Sequence, residues 1–254
     1  MSSGPQFAAA PPTATTSDAA RTPALPLAGD EPFNLFAFRA PEGLLWEKWR
    51  GLEADIAREA VVIAGCRVTP HDCTSQAAVR FIALADDLRR RAGRDRLEAA
   101  NGTINAAIRY ASDHAQHGVA DRWSAPLATF ASGLGDCEDY AIAKYVALRD
   151  AGTPADDLRL LLVRDAATRE DHAVLVARQD GQWLILDNRR AALVADGDAT
   201  SLKPLFAIGG DGVKLLAAPY VSGNGETGEV EMIPATAEWG AESARGGSAL
   251  PLLL

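Results

Sequence analysis

Residues 158–189 read LRLLLVRDAATREDHAVLVARQDGQWLILDNR, and this block decides the fold class. Its three aliphatic runs, at 158–165, 172–179 and 182–189, have the length and composition of short strands. Asp180-Gly181, between the second and third, is a two-residue hairpin signal. With that loop Gln179 faces Gln182, Val174 lies opposite Asp187, and His172 opposite Arg189. The side chains of His172, Val174 and Asp187 then share one face, with His172 and Asp187 diagonal neighbours. An imidazole and a carboxylate are therefore expected side by side. The carboxylate orients the ring and fixes its tautomer, leaving the other ring nitrogen free to take a proton from a thiol.

Upstream of this block the periodicity is helical. Leu45, Trp46, Trp49, Leu52, Ile56 and Ala60 recur at three- and four-residue steps, as one buried helix face does. Residues 75–91 predict a second helix, and 95–116 a third with Leu97, Ile104, Ile108 and Tyr110 as core candidates. Residues 137–150 predict a fourth, stopped by Gly152 and Pro154. Helices first and strands after them predict an α+β fold, with N-terminal helices packed on a small antiparallel sheet. Residues 1–31, rich in Ala, Pro, Thr and Ser, are expected to be a disordered N-terminal segment, and 222–254 a flexible C-terminal tail. That leaves 32–221 as a single domain.

The 254 residues carry 25 Lys and Arg against 34 Asp and Glu, a net charge of −9. This balance argues against nucleic acid or an anionic membrane surface as the main partner. No apolar run has the length of a spanning helix, so direct membrane insertion is not expected. Cys66 and Cys73 lie seven apart and Cys137 stands alone, which suggests one local disulfide and one free thiol. A disulfide places a protein outside the cytosol. The first residues, MSSGPQFAAAPPTATT, nevertheless show no charged n-region and no apolar h-region of a secretory signal.

Cys137 opens the fourth predicted helix in GLGDCEDY, where free N–H groups and the helix dipole favour a thiolate. A buried structural cysteine is the plain alternative. A helix-start cysteine followed by a strand histidine and a strand aspartate is a papain-like arrangement, so Cys137, His172 and Asp187 are the candidate catalytic residues. Asp136, Glu138 and Asp139 set three carboxylates beside that thiol and by themselves raise its pKa. A hard cation removes the conflict, which makes these three candidate Ca²⁺ ligands. Acids in a first turn also complement the dipole without any metal, and both readings stand at this point. Cys66, His71, Cys73, His114 and His117 match no zinc framework. Asn101 and Asn105, four apart, suit holding backbone or an active-site loop. Trp123 lines a cleft or anchors a loop.

Trp123-Ser124-Ala125-Pro126, the string GDCEDYAIAKY at 135–145, His172-Ala173-Val174-Leu175 and Leu186-Asp187-Asn188 together resemble the bacterial transglutaminase-like cysteine peptidases, including their periplasmic LapG-type members. Lys48-Trp49, Cys66, Cys73, Asn101, Asn105, Tyr110 and Asp113 extend the resemblance over roughly 33–190. It implies a transglutaminase-like, papain-related fold with Cys137 as nucleophile, His172 as base and Asp187 as its orienter. It also implies calcium dependence through the acids flanking the cysteine and a periplasmic location. The implied substrate is a large surface adhesin whose cleavage controls biofilm attachment, with a membrane-anchored regulatory protein as a further partner. Acyl transfer to an amine, as in a transglutaminase or amidase, uses the same triad and is the rival chemistry. A non-catalytic binding or regulatory module is the rival class, and an intact Cys137, His172 and Asp187 speaks against it.

Overall fold

One edge strand precedes the helices, and the rest of the main sheet follows them. The computed structural model describes residues 31–218 and the backbone of Ile233–Pro234. Residues 1–30 of the segment expected to be disordered and most of the C-terminal tail lie outside these residues, whereas Glu31, the last of that segment, is buried and paired with Arg159 and Lys214. After β1 (Phe36–Arg39) come α1 (Leu44–Val68), α2 (Gln76–Arg90), α3 (Gly93–Ala107), β2 (Arg109–Tyr110), α4 (Asp113–His117), α5 (Pro126–Ser132), β3 (Leu134–Gly135) and α6 (Cys137–Asp150). The strands β4 (Leu158–Asp165), β5 (Glu170–Gln179), β6 (Gln182–Leu186), β7 (Val194–Ala195), β8 (Leu202–Gly209), β9 (Gly212–Ala218) and β10 (Ile233–Pro234) follow. They form one antiparallel sheet in the order β1-β9-β8-β4-β5-β6-β7, with β10 also on β9. The short strands β2 and β3 pair in parallel on their own. This is the α+β class read from the sequence.

The β5–β6 hairpin has the expected register. Gln179 faces Gln182, Arg178 Trp183, and so on to Leu175 and Leu186. The turn residues Asp180 and Gly181 both have positive φ, 52° and 79°, as a two-residue type I′ loop requires. The ladder stops at Leu186, so Asp187 stands just past its end.

Alternation divides the strand residues between two buried faces. Leu158, Leu160 and Leu162 of β4 and Ala173, Leu175 and Ala177 of β5 pack with Ala141, Ile142, Tyr145 and Leu148 of α6. Leu161, Val163, Val174, Val176, Trp183 and Ile185 form a second cluster, with Phe33 and Leu35 against it. Burial on both faces is why β4 reads as a continuous apolar run and not as an alternating one. Helix α6 is buried on nearly every side, from Glu138 through Tyr145 and again at Ala147 and Leu148. It is the central helix.

Three readings change. The sheet is larger than the three strands legible in sequence. Strand β8 contains Pro204, which ordinarily argues against a strand, but Pro204 sits where the register between β4 and β8 shifts and a missing N–H is tolerated. The third helix ends at Ala107, well short of 116. Ile108 is extended, and the N–H groups of Arg109 and Ala111 donate to the carbonyls of Gly133 and Gly135. Strand pairing thereby overrides a continuing helix, and Tyr110, expected in the core, is 58% exposed. On α1, Trp46, Trp49 and Leu52 are buried as expected, but Ala60 is exposed because the stripe continues through Ile63 and Cys66. Cys66 and Cys73 are bridged, tying the end of α1 to the segment before α2, and Cys137 is free. No described helix is long and apolar enough to cross a membrane.

Candidate active site

Asp136 is the N-cap of α6 and Cys137 its first residue, half-buried against the core. The β2–β3 pairing lays residues 109–113 beside this helix start, and the Asp113 N–H donates to Asp136 Oδ2 at 3.3 Å. Gly135 permits a close approach. A Cβ there would stand 2.8 Å from Asp139 Cβ and 3.1 Å from its Oδ2.

His172, on β5, is fully buried. Its Nε2 lies 2.9 Å from Asp187 Oδ1, and its Nδ1 is buried without a hydrogen-bond partner. Asp187 Oδ1 also accepts the Arg189 N–H at 2.9 Å. Burial pushes the Asp187 carboxyl up, but the His172 hydrogen bond and charge, the Arg189 N–H and the Lys144 charge together hold it below its ordinary value. Asn101 Nδ2 donates to the Arg190 carbonyl at 2.9 Å and Asn105 Nδ2 to that of Asp187 at 3.0 Å. Both amides thus fasten the loop that follows the aspartate.

The histidine and the aspartate therefore meet, as the hairpin register demands. The thiol is placed differently. Cys137 Sγ donates to Glu138 Oε2 at 3.1 Å, and the Ala173 N–H beside His172 also faces it. Burial raises the thiol pKa well above its ordinary value, and the Glu138 charge and hydrogen bond and the Asp136 charge add to this against the Ala173 N–H. In this environment the helix dipole does not prevail: burial comes first, and the carboxylate conflict read from sequence adds to it.

Five carboxylates converge at the helix start. Oxygens of Asp113, Asp121 and Glu138 lie within 4.8 Å of one another, as do those of Asp113, Asp136 and Asp139. Some of their oxygens are engaged: Asp139 Oδ1 accepts the Ser124 N–H at 2.9 Å, Asp113 Oδ2 the Arg122 N–H, and Asp121 Oδ2 the Lys48 ammonium. Lys48 reaches in from α1, its nitrogen 5.8 Å from the centre of the Trp123 ring. Burial lowers the Lys48 pKa, against the opposing charges of Glu138, Asp113 and Asp136. Asp113 Oδ1, Asp121 Oδ1, Asp136 Oδ1 and Glu138 Oε1 remain buried with no partner. Burial, then mutual repulsion with Asp136, pushes Asp139 up to about 8 and Glu138 well above its ordinary value. Burial likewise raises Asp136. Four unpaired buried oxygens are costly, and a hard divalent cation is the group that satisfies such a set together.

Asp121 carries no signal in the sequence, and Asp113 is marked there only by resemblance. They reach the cluster through the β2–β3 pairing and the loop after α4, not through any fixed spacing. Gly135→Ala is expected to drive Asp139 out of place, costing about 1–3 kcal/mol of stability by overpacking. It should also weaken any gain in melting temperature on adding calcium, and melting curves with and without the metal check both effects.

A family model for bacterial transglutaminase-like cysteine proteinases matches residues 60–201. The chain belongs to this family. Among solved structures, calcium-bound LapG of Legionella pneumophila is 29% identical over 55% of this chain and 78% of its own, with a TM-score of 0.50. EGTA-treated LapG of the same organism is 29% identical over 55% and 76%, with a TM-score of 0.49. No curated protein matches the chain. As a transglutaminase-like cysteine proteinase it is a hydrolase acting on protein substrates, and its helices and antiparallel sheet are the fold of that family.

Proposed function

We propose that this proteinase is a calcium-dependent endopeptidase in which Cys137 is the nucleophile, His172 the general base and Asp187 the group that orients it. The observation that carries this reading is the buried His172, with Nε2 on Asp187 and Nδ1 left without a partner. Asp187 accepts from Nε2–H and so selects the tautomer whose Nδ1 is basic. Nδ1 takes the thiol proton, the sulfur attacks the scissile carbonyl, and the imidazolium returns the proton to the leaving amine. Water, deprotonated by the same nitrogen, then hydrolyses the acyl-enzyme. Burial of His172 and the hold of Asn101 and Asn105 on the loop after Asp187 keep the pair aligned through both half-reactions.

Asp136, Glu138 and Asp139, joined by Asp113 and Asp121, are the residues that hold calcium. The four unpartnered oxygens support this, as does a calcium-bound relative. A calcium ion held by these residues would supply positive charge that offsets the carboxylate field on the thiol. With Glu138 serving as a ligand, His172 would be the proton acceptor for Cys137. The resemblance to LapG-type enzymes supports a large surface adhesin as substrate, control of biofilm attachment as outcome, and a membrane-anchored protein as regulator. The Cys66–Cys73 bridge supports a periplasmic site of action.

Alkylation tests the core of this reading. With calcium present at neutral pH, iodoacetamide should label Cys137 roughly tenfold faster than free cysteine. EGTA should slow it below that reference. Labelling at the free-cysteine rate with calcium present would overturn the assignment.

A further inference from the structure

Lys144 lies seven residues after Cys137, on the same face of α6, and its side chain is fully buried. Among the described residues its ammonium has one long hydrogen bond, to the Leu186 carbonyl at 3.4 Å, and stands 5.9 Å from the centre of the Tyr140 ring. A buried ammonium so sparsely partnered is expensive, and an unbranched apolar side chain would fill the same space at lower cost. Asp187 follows Leu186 at once, and the two charges act on each other. Burial pushes Lys144 down to about 7 against the opposing pull of Asp187, so the amine is about half protonated at neutrality and gains its charge as the pH falls.

We infer that Lys144 is a positioning residue for the His172–Asp187 pair: from α6 it pins the end of β6 through the Leu186 carbonyl and sets a buried positive charge opposite the Asp187 carboxylate. The inference rests on the proposed triad. The charged and titratable groups around Asp187 are His172 from β5, Arg190 from its own loop, whose Nε is 3.9 Å from Oδ2, and Lys144 from α6. Helix α3 contributes the neutral amides Asn101 and Asn105.

Removing a positive charge raises the pKa of each neighbouring acid, so the sign is set in advance. In the calcium-loaded full chain, the Asp187 carboxyl, followed by carbon-13 NMR, should titrate about half a pH unit or more higher in both Lys144→Met and Lys144→Gln than in the parent. Lys144→Gln can keep a hydrogen bond to the Leu186 carbonyl, so at neutral pH it should retain more of the iodoacetamide labelling rate at Cys137 than Lys144→Met. The melting temperature of Lys144→Met should be equal to or above that of the parent, since an apolar group replaces a buried cation. An Asp187 titration at the parent's pH in either folded variant overturns the inference, as does failure of both to fold, which makes the lysine purely structural. His172→Ala is measured alongside. If it labels like the parent, the triad reading fails; if it slows while the Lys144 variants behave as the parent, only this inference fails.

Discussion

Cys137→Ala should lower cleavage of a protein substrate by at least about 10³-fold while leaving the fold in place. Groups that act as a unit in covalent catalysis lose most of their effect when any one is removed, so no remaining side chain replaces the sulfur. Alanine is well suited to a helix start, and Cys137 is only half-buried, so the cost to stability should be no more than about 1 kcal/mol. His172→Ala should be nearly as damaging, and the double variant little worse than either, because in the proposed triad nucleophile and base serve one step. Substrate cleavage followed by electrophoresis, with a melting curve for each variant, measures both quantities. Cleavage retained by the alanine variant would remove Cys137 from the mechanism.

Calcium should change both activity and stability by large amounts. The acid cluster buries four carboxylate oxygens without partners, and Glu138 holds the thiol proton in place. A ligand that binds only the folded state, at a thousandfold excess over its dissociation constant, stabilises it by about 4 kcal/mol. For a domain of this size that is a rise of about 10 °C in melting temperature. EGTA should abolish most of the cleavage. Asp136→Asn and Glu138→Gln should each blunt the thermal response, and so should Asp113→Asn, which the structure adds to the set. Lower pH should weaken binding, because carboxyls whose pKa is raised by burial must release protons to hold the ion. Melting temperature and cleavage both indifferent to calcium would leave these acids as helix-capping groups, with the triad untouched.

Much of the site is legible in local pattern. The Asp180-Gly181 turn fixes the hairpin register, and the period-two alternation then brings His172 and Asp187 together whatever the rest of the chain does. The helix start at Cys137 follows from the composition of its first turn and the Gly152 and Pro154 that stop the helix. The acid cluster is only half legible. Asp136, Glu138 and Asp139 are contiguous with the cysteine, whereas Asp121 arrives from a loop and meets them through packing alone. Strands β8 and β9 escape for a similar reason: β8 carries a proline whose tolerance depends on a register shift against β4.

The sequence by itself determined the helix-then-strand order, the register of the central hairpin, the pairing of His172 with Asp187, and the cysteine at a helix start. These depend on contacts between residues close in the chain, where turn geometry and side-chain period leave few alternatives. Tertiary structure alone decided that residues 108–111 abandon the third helix to pair with β3, and that Asp113 and Asp121 join the acids of α6. It also decided that the thiol rests on Glu138 and that Lys144 is buried beside the aspartate. Each of these is a contest between a local preference and a distant partner, and burial settles it, because a charge or an N–H removed from water must find whatever partner the fold brings within reach.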